Sequence, residues 1–223
     1  MSGGTTMKKN VTEVVFILDK SGSMAGLETD TIGGFNGMLN KQKKAEGEAF
    51  VTTVLFNHQY ELLHDRINVR GISPITERDY EVGGTTALLD AIGFSIQKIG
   101  NVQKHTRDAE RADQVLFVIT TDGMENASRE FTPEKIKKMI THQKEKYGWE
   151  FMFLGANIDA ISTAAQFGIE EDFAVDYHAD NIGTQLNYEM VSEAVIKLRS
   201  GEKMDRSWKE GIERDYNRRS SRH

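Results

Sequence analysis

Two apolar runs in this chain are each brought to an end by a carboxylate. The first, VVFIL at 14–18, meets Asp19 at once; the second, VLFVI at 115–119, passes through two threonines to Asp122. Five consecutive bulky residues, rich in valine and isoleucine, are the pattern of a strand covered on both faces. Such a strand has to be sandwiched between helices, and the intervening sequence supplies them.

Residues 27–44 read as a helix, with Phe35, Met38 and Leu39 on one face and lysines near the end. A second strand at 48–57 and a third at 60–70 flank the turn NHQ, which makes the third an antiparallel hairpin partner at a sheet edge. Residues 86–100 form a helix with Leu89, Ile92, Ile96 and Ile99 in one stripe and Gly100 as its stop. Thr132 and Pro133 open a helix that Gly148 closes. A strand at 149–157, a short helix at 159–168, a short strand at 172–177 and a helix at 184–201 complete the order. Trp149, Phe151 and Phe153 alternate and so share one strand face rather than forming a platform for bases. Strands alternating with helices predict a Rossmann-like, doubly wound α/β fold. It has a mostly parallel sheet, one antiparallel edge strand and helices on both faces.

The division expected is a flexible N-terminus or expression remnant at 1–11, one domain at 12–200, and a polar, basic tail at 201–223. From Lys203 onward the tail carries a net charge of +3, and it is read as a polar helix or a frayed end. Overall the 223 residues are 38% hydrophobic and carry a net charge of −6, which suits a globular chain and gives no reason to expect nucleic-acid binding. The sequence has no cysteine, so thiol catalysis, disulfides and thiolate metal sites are excluded. No apolar stretch approaches the ~20 residues of a membrane span. The expectation is a cytoplasmic monomer with no membrane partner.

In an open parallel sheet, ligands bind beyond the carboxyl ends of the strands, where the strand order reverses. If the 14–18 and 115–119 strands are neighbours there, Asp19 and Asp122 face one another across a crevice and repel unless a proton or cation lies between them. Ser21 and Ser23 place hydroxyls beside Asp19, and Gly22 permits a sharp turn between them. Magnesium takes oxygen ligands in an octahedron and keeps several waters. A shell of one carboxylate and several hydroxyls leaves it charge enough to attract an outside anion.

The element DKSGS at 19–23 resembles the D-x-S-x-S motif of von Willebrand factor type A domains, including integrin I domains, with their metal-ion-dependent adhesion site. GGTTALLDAI resembles the family's threonine loop, with Thr85 in the matching place and Thr86 next to it. ITTDGMEN resembles its aspartate loop, with Asp122 matching. The resemblance runs from about Thr12 to Leu198 and points to the bacterial or phage intracellular type. It implies Mg2+ (or Mn2+) held by Asp19, Ser21, Ser23 and Thr85. Asp122 would bind directly or through water, and a protein partner would donate a Glu or Asp carboxylate. The function implied is a metal-dependent protein–protein interaction module, not an enzyme.

Plainer readings exist for each part. Asp19 can serve as a cap, GGTT as a turn before a helix, and Asp122-Gly123 as a simple turn. Glu125 reads as a solvated surface glutamate, Asp159 as a helix cap and Asn157 as a possible partner contact. Lys20 is expected to point to solvent. The alternative functions are a Mg2+-dependent phosphate-ester hydrolase and a structural subunit with a vestigial metal site. No phosphate-binding loop, nucleophile elbow or H-E-x-x-H is present.

Overall fold

The computed structural model describes residues 10–221. The expected flexible N-terminus therefore lies, from residue 1 to 9, outside the described residues. Six strands form one sheet: β1 (Val11–Asp19), β2 (Glu48–Phe56), β3 (Tyr60–Asn68), β4 (Gln114–Thr121), β5 (Glu150–Gly155) and β6 (Ala174–Asp176). Their order is β3-β2-β1-β4-β5-β6, parallel throughout except for β3. The fold is thus the doubly wound α/β arrangement expected. The order reverses between β1 and β4, which places the two carboxylate-ended strands side by side.

Helices cover both faces: α1 (Glu28–Lys44), α2 (Leu88–His105), α3 (Pro133–Tyr147), α4 (Ala160–Gln166), α5 (Asn181–Arg199) and α6 (Glu210–Ser220). Side chains alternate along β1 and so feed two cores. Val14, Phe16 and Leu18 pack under α1 and α5 with Phe35, Met38, Val191 and Leu198. Val15 and Ile17 face the other way, toward Leu88, Ile92, Ile96 and Ile99 of α2 and Ile136 and Ile140 of α3. The aromatic stripe of β5 lies in this second core, with Phe151 and Trp149 both stacked on Phe117. Among the described residues no helix is long and apolar enough to cross a membrane.

Local signals explain most boundaries. Thr132 caps α3 by accepting from Lys135 N, Pro133 begins it, and Gly148 ends it at φ 66°. Gly100 differs from expectation, because α2 runs five residues past it to His105. A mid-helix glycine costs only about 1 kcal/mol, and burial of Ile99 and Gln103 on either side holds the helix together. The real stop is Thr106, whose hydroxyl and amide both bond back to Val102 O. Residues 206–220 fold into a short 3-10 turn and α6, with Trp208 and Ile212 buried in the first core.

Candidate functional site

The register of β1 on β4 pairs Leu18 with Thr120, so the ends of both strands reach the same level. Asp19 is 1% exposed there. Its Oδ1 accepts from Ser21 N at 2.7 Å. Its Oδ2 accepts from Thr121 Oγ1 at 2.7 Å and Asp122 N at 3.3 Å. One carboxylate thus ties the first loop to the last turn of β4. The neighbouring backbone is held as well: Tyr80 OH donates to Asp19 O, and Lys20 N to Phe56 O.

Beyond Asp19 the chain makes a tight turn that sets Ser21 Oγ 3.1 Å from Ser23 Oγ. Ser21 is buried and Ser23 exposed, so the hydroxyl pair spans the surface. The threonine loop is stitched alongside by Gly22 N to Gly84 O at 3.0 Å and Gly83 N to Lys20 O at 2.9 Å. Gly84 has φ 80°, and a Cβ there would run into the His58 ring. Both the backbone conformation and the space therefore demand glycine. Asn57, at the end of β2, donates its amide to Gly83 O and accepts from Ala87 N on its backbone carbonyl. Thr85 is exposed at the loop's crest and Thr86 is buried beneath it. A Cβ built on Gly123 would stand 3.2 Å from Ser23 Oγ and 3.8 Å from Thr86 Oγ1. All three loops therefore converge on one spot.

Asp122 is 2% exposed, and its Oδ1 accepts from the Asn157 amide. Burial pushes the Asp122 carboxyl up from its ordinary range; the Asn157 hydrogen bond opposes this, and the charge of Asp19 adds to the rise. Asn157 is exposed and takes a left-handed conformation at φ 55°, from which its amide meets Asp122 at the edge of the site. Asp159 caps α4 by accepting from Ser162 N, as expected.

Two side chains brace the rim, and one differs from its sequence reading. Glu125 is not a free surface glutamate. Its carboxylate accepts from Ala127 N, Ser128 N, Ser128 Oγ and Leu89 N, between 2.7 and 2.9 Å. Asp90 reciprocates from α2, accepting from Arg129, Glu130 and Phe131 N. The threonine loop and the aspartate loop are thereby zipped into one unit, with Asn126 bonded to Thr86 through backbone and side chain. Glu125→Ala is expected to destabilise by about 1–3 kcal/mol, because four donors lose one shared acceptor. Amide hydrogen exchange at 127–131 should accelerate more than elsewhere; unchanged exchange there would mean that the brace is redundant.

Lys20 likewise departs from expectation, pairing with Glu61 on β3 and leaving only 12% of its side chain exposed. Thr121, Tyr80 and Asn57 were not singled out by sequence. Thr121 had a visible signal, as the second of the two threonines that separate an apolar run from Asp122. Tyr80 lies in a segment with no pattern that marks it, and Asn57 reads from sequence only as part of the turn NHQ. Among the described residues no group of three or more His, Cys, Asp or Glu side chains gathers as a metal centre. The converging set consists of two carboxylates and several hydroxyls.

No family model matches the sequence, and no curated protein does. Solved structures do match in shape. The vWF domain of the type V pili tip protein Mfa5 from Porphyromonas gingivalis superposes with a TM-score of 0.58 at 10% identity, over 88% of this chain and 97% of that one. The fold is that of a von Willebrand factor type A domain. Manganese-loaded TRAP protein from Plasmodium vivax matches this chain with a TM-score of 0.52 at 17% identity, over 81% of this chain and 73% of that one. Proximal thread matrix protein 1 from the mussel byssus, with a zinc-occupied MIDAS motif, matches with a TM-score of 0.56 at 14% identity. That alignment takes in 85% of this chain and 46% of the mussel protein, so the chain spans less than half of that protein's length. Divalent metal is thus present in two structures of this shape, and at these identities the likeness speaks for the fold.

Proposed function

We propose that this A domain is a metal-dependent protein-interaction module. Asp19, Ser21, Ser23 and Thr85 would hold Mg2+ or Mn2+, with Asp122 binding directly or through water. The observation that carries this reading is the hydroxyl pair beside a buried carboxylate, at the point where the strand order reverses. Adjacent ligands of an octahedral magnesium at ~2.1 Å lie about 3.0 Å apart, and Ser21 Oγ and Ser23 Oγ are separated by 3.1 Å. Asp122 supports it too, since a buried carboxylate raised in part by a neighbouring carboxylate is relieved by a cation.

The bound ion would supply a Lewis-acidic point at the crest of the loops. This chain's residues would do the rest. Asp19, fixed by three donors, gives a rigid anion rather than a free nucleophile, which favours holding over turnover. The hydroxyls add coordination without charge, so a partner's Glu or Asp carboxylate has a reason to bind. Met124, 74% exposed next to Gly123, offers that partner an apolar contact beside the charge.

Calorimetric titration of EDTA-stripped protein tests the proposal. About one Mg2+ or Mn2+ should bind per chain, more tightly than Ca2+, which prefers more ligands. Ser21→Ala, which removes a single hydroxyl, should weaken binding about tenfold or more. No heat with either ion, or an unchanged isotherm in Ser21→Ala, would overturn the assignment.

A further inference from the structure

Toward the other end of the sheet, residues of α2 and α3 line a groove of about 790 Å3. Its floor is apolar, formed by Ile96, Val115, Met139 and Trp149. Val115 and Trp149 lie at the start of β4 and immediately before β5, whereas Asp122 lies just past the end of β4. An eight-residue strand spans about 26 Å, so the groove's floor lies far from Asp122, while its other end reaches Lys135, whose ammonium donates to Glu130 O behind the aspartate loop.

Its rim is basic. Lys104, Arg111, Lys135 and Lys138 all line it, against Asp113 as the sole acidic lining residue. Asp113 is already engaged, accepting from Val11 N at 3.1 Å. Two of the four cations are engaged as well, Arg111 with Asp108 at 3.0 Å and Lys135 with Glu130 O at 3.2 Å, which leaves Lys104 and Lys138 as the exposed charges that face an anion in the cleft. Two amides sit at the wall. Gln103 is 8% exposed, and neither its Nε2 nor its Oε1 has a hydrogen-bond partner among the described residues; Gln143 Oε1 is in the same state. A buried amide with nothing to lose can swing toward a ligand without breaking an existing bond.

We infer that this groove binds a small organic anion with an apolar body. The body would lie on Trp149 and Met139, the anionic group would face Lys104 and Lys138, and the Gln103 amide would turn outward to meet a polar atom of the ligand. The volume lies in the range of small-molecule sites, and a mostly apolar lining with few convergent polar groups is their usual composition.

A matched pair of dyes tests this on the full chain: 8-anilinonaphthalene-1-sulfonate, an aromatic anion, and the neutral N-phenyl-1-naphthylamine. Titration is followed by the two tryptophan indole N–H signals in NMR. The Trp149 signal and the Gln103 side-chain amide should shift with the anionic dye, while Trp208, on the opposite face of the sheet, stays still. Lys104→Glu with Lys138→Glu, both exposed and so compatible with folding, should weaken the anion about tenfold while the neutral dye changes less than about twofold. The inference is overturned if Trp149 does not move. It is equally overturned if both dyes bind alike and ignore the charge reversal, which would make the groove a plain apolar surface.

Discussion

In metal-free protein, Asp19→Ala is expected to cost about 2–4 kcal/mol of stability, whereas Asp122→Ala should change it by less than about 1 kcal/mol. The two aspartates lie at the ends of adjacent strands and are both buried, yet their partners differ. Asp19 accepts from Ser21 N, Thr121 Oγ1 and Asp122 N, all in buried residues that water does not reach. Removing it strands those donors. Asp122 accepts from the amide of Asn157, an exposed residue whose amide can turn to solvent instead. Its removal also ends the repulsion with Asp19 that contributes to its raised carboxyl. On adding magnesium both variants should fall further below wild type, and the gap between them should persist. Linkage gives wild type about 2.7 kcal/mol at a hundredfold excess over its dissociation constant. Both variants should lose most of that gain. Urea unfolding in EDTA and in magnesium separates the contributions. Equal losses in EDTA would show that Asp122 is a structural turn residue. A full magnesium response in Asp19→Ala would remove the metal from this site.

The difference between these aspartates also marks where sequence reading stops. The mostly parallel sheet, the antiparallel edge strand and, given the adjacency of the two carboxylate-ended strands, the meeting of Asp19 with Asp122 follow from apolar runs and βα alternation, because burial on both faces leaves few topologies. The caps at Thr132, Pro133 and Asp159 were legible because their chemistry is local. Glu125 was not: three of its bonds are local, but the one that ties its loop to α2 goes to Leu89 N, 36 residues away. The same holds for Tyr80, whose hydroxyl crosses 61 residues to Asp19 O. Gly100 misled because a glycine stops a helix only when tertiary burial does not continue past it. Thr85 and Thr86 are adjacent in a motif that names a single threonine. The structure puts Thr85 at the crest and Thr86 beneath it, which a linear pattern has no means of expressing.

Trp208→Ala should destabilise by about 3–5 kcal/mol, as large-to-small changes of buried aromatics do. Composition alone makes the segment after Gly201 look dispensable, with a net charge of +3 from Lys203 onward and few apolar residues. Its few apolar residues are placed where they count. Trp208 is 6% exposed, and its indole donates to Asp172 O at 2.9 Å. Ile212 is 2% exposed in the same core as α1 and α5. Lys209 is 0% exposed, and its ammonium group is held by Glu171 O, by Ala174 O at 3.0 Å and by Glu213 at 2.9 Å. Arg219 fastens the far end, pairing with Asp215 and with Asp180, the cap of α5. Truncation after Gly201 should therefore lower the melting temperature by more than Trp208→Ala alone. Loss of partner capture on truncation would then report unfolding, not a binding role for the basic surface. Charge removal at exposed Lys203 and Arg214 tests that surface without touching the core. Capture should survive Lys203→Gln with Arg214→Gln and fail in EDTA. Capture that fails in the double variant but persists in EDTA would move the partner site from the strand ends to α6.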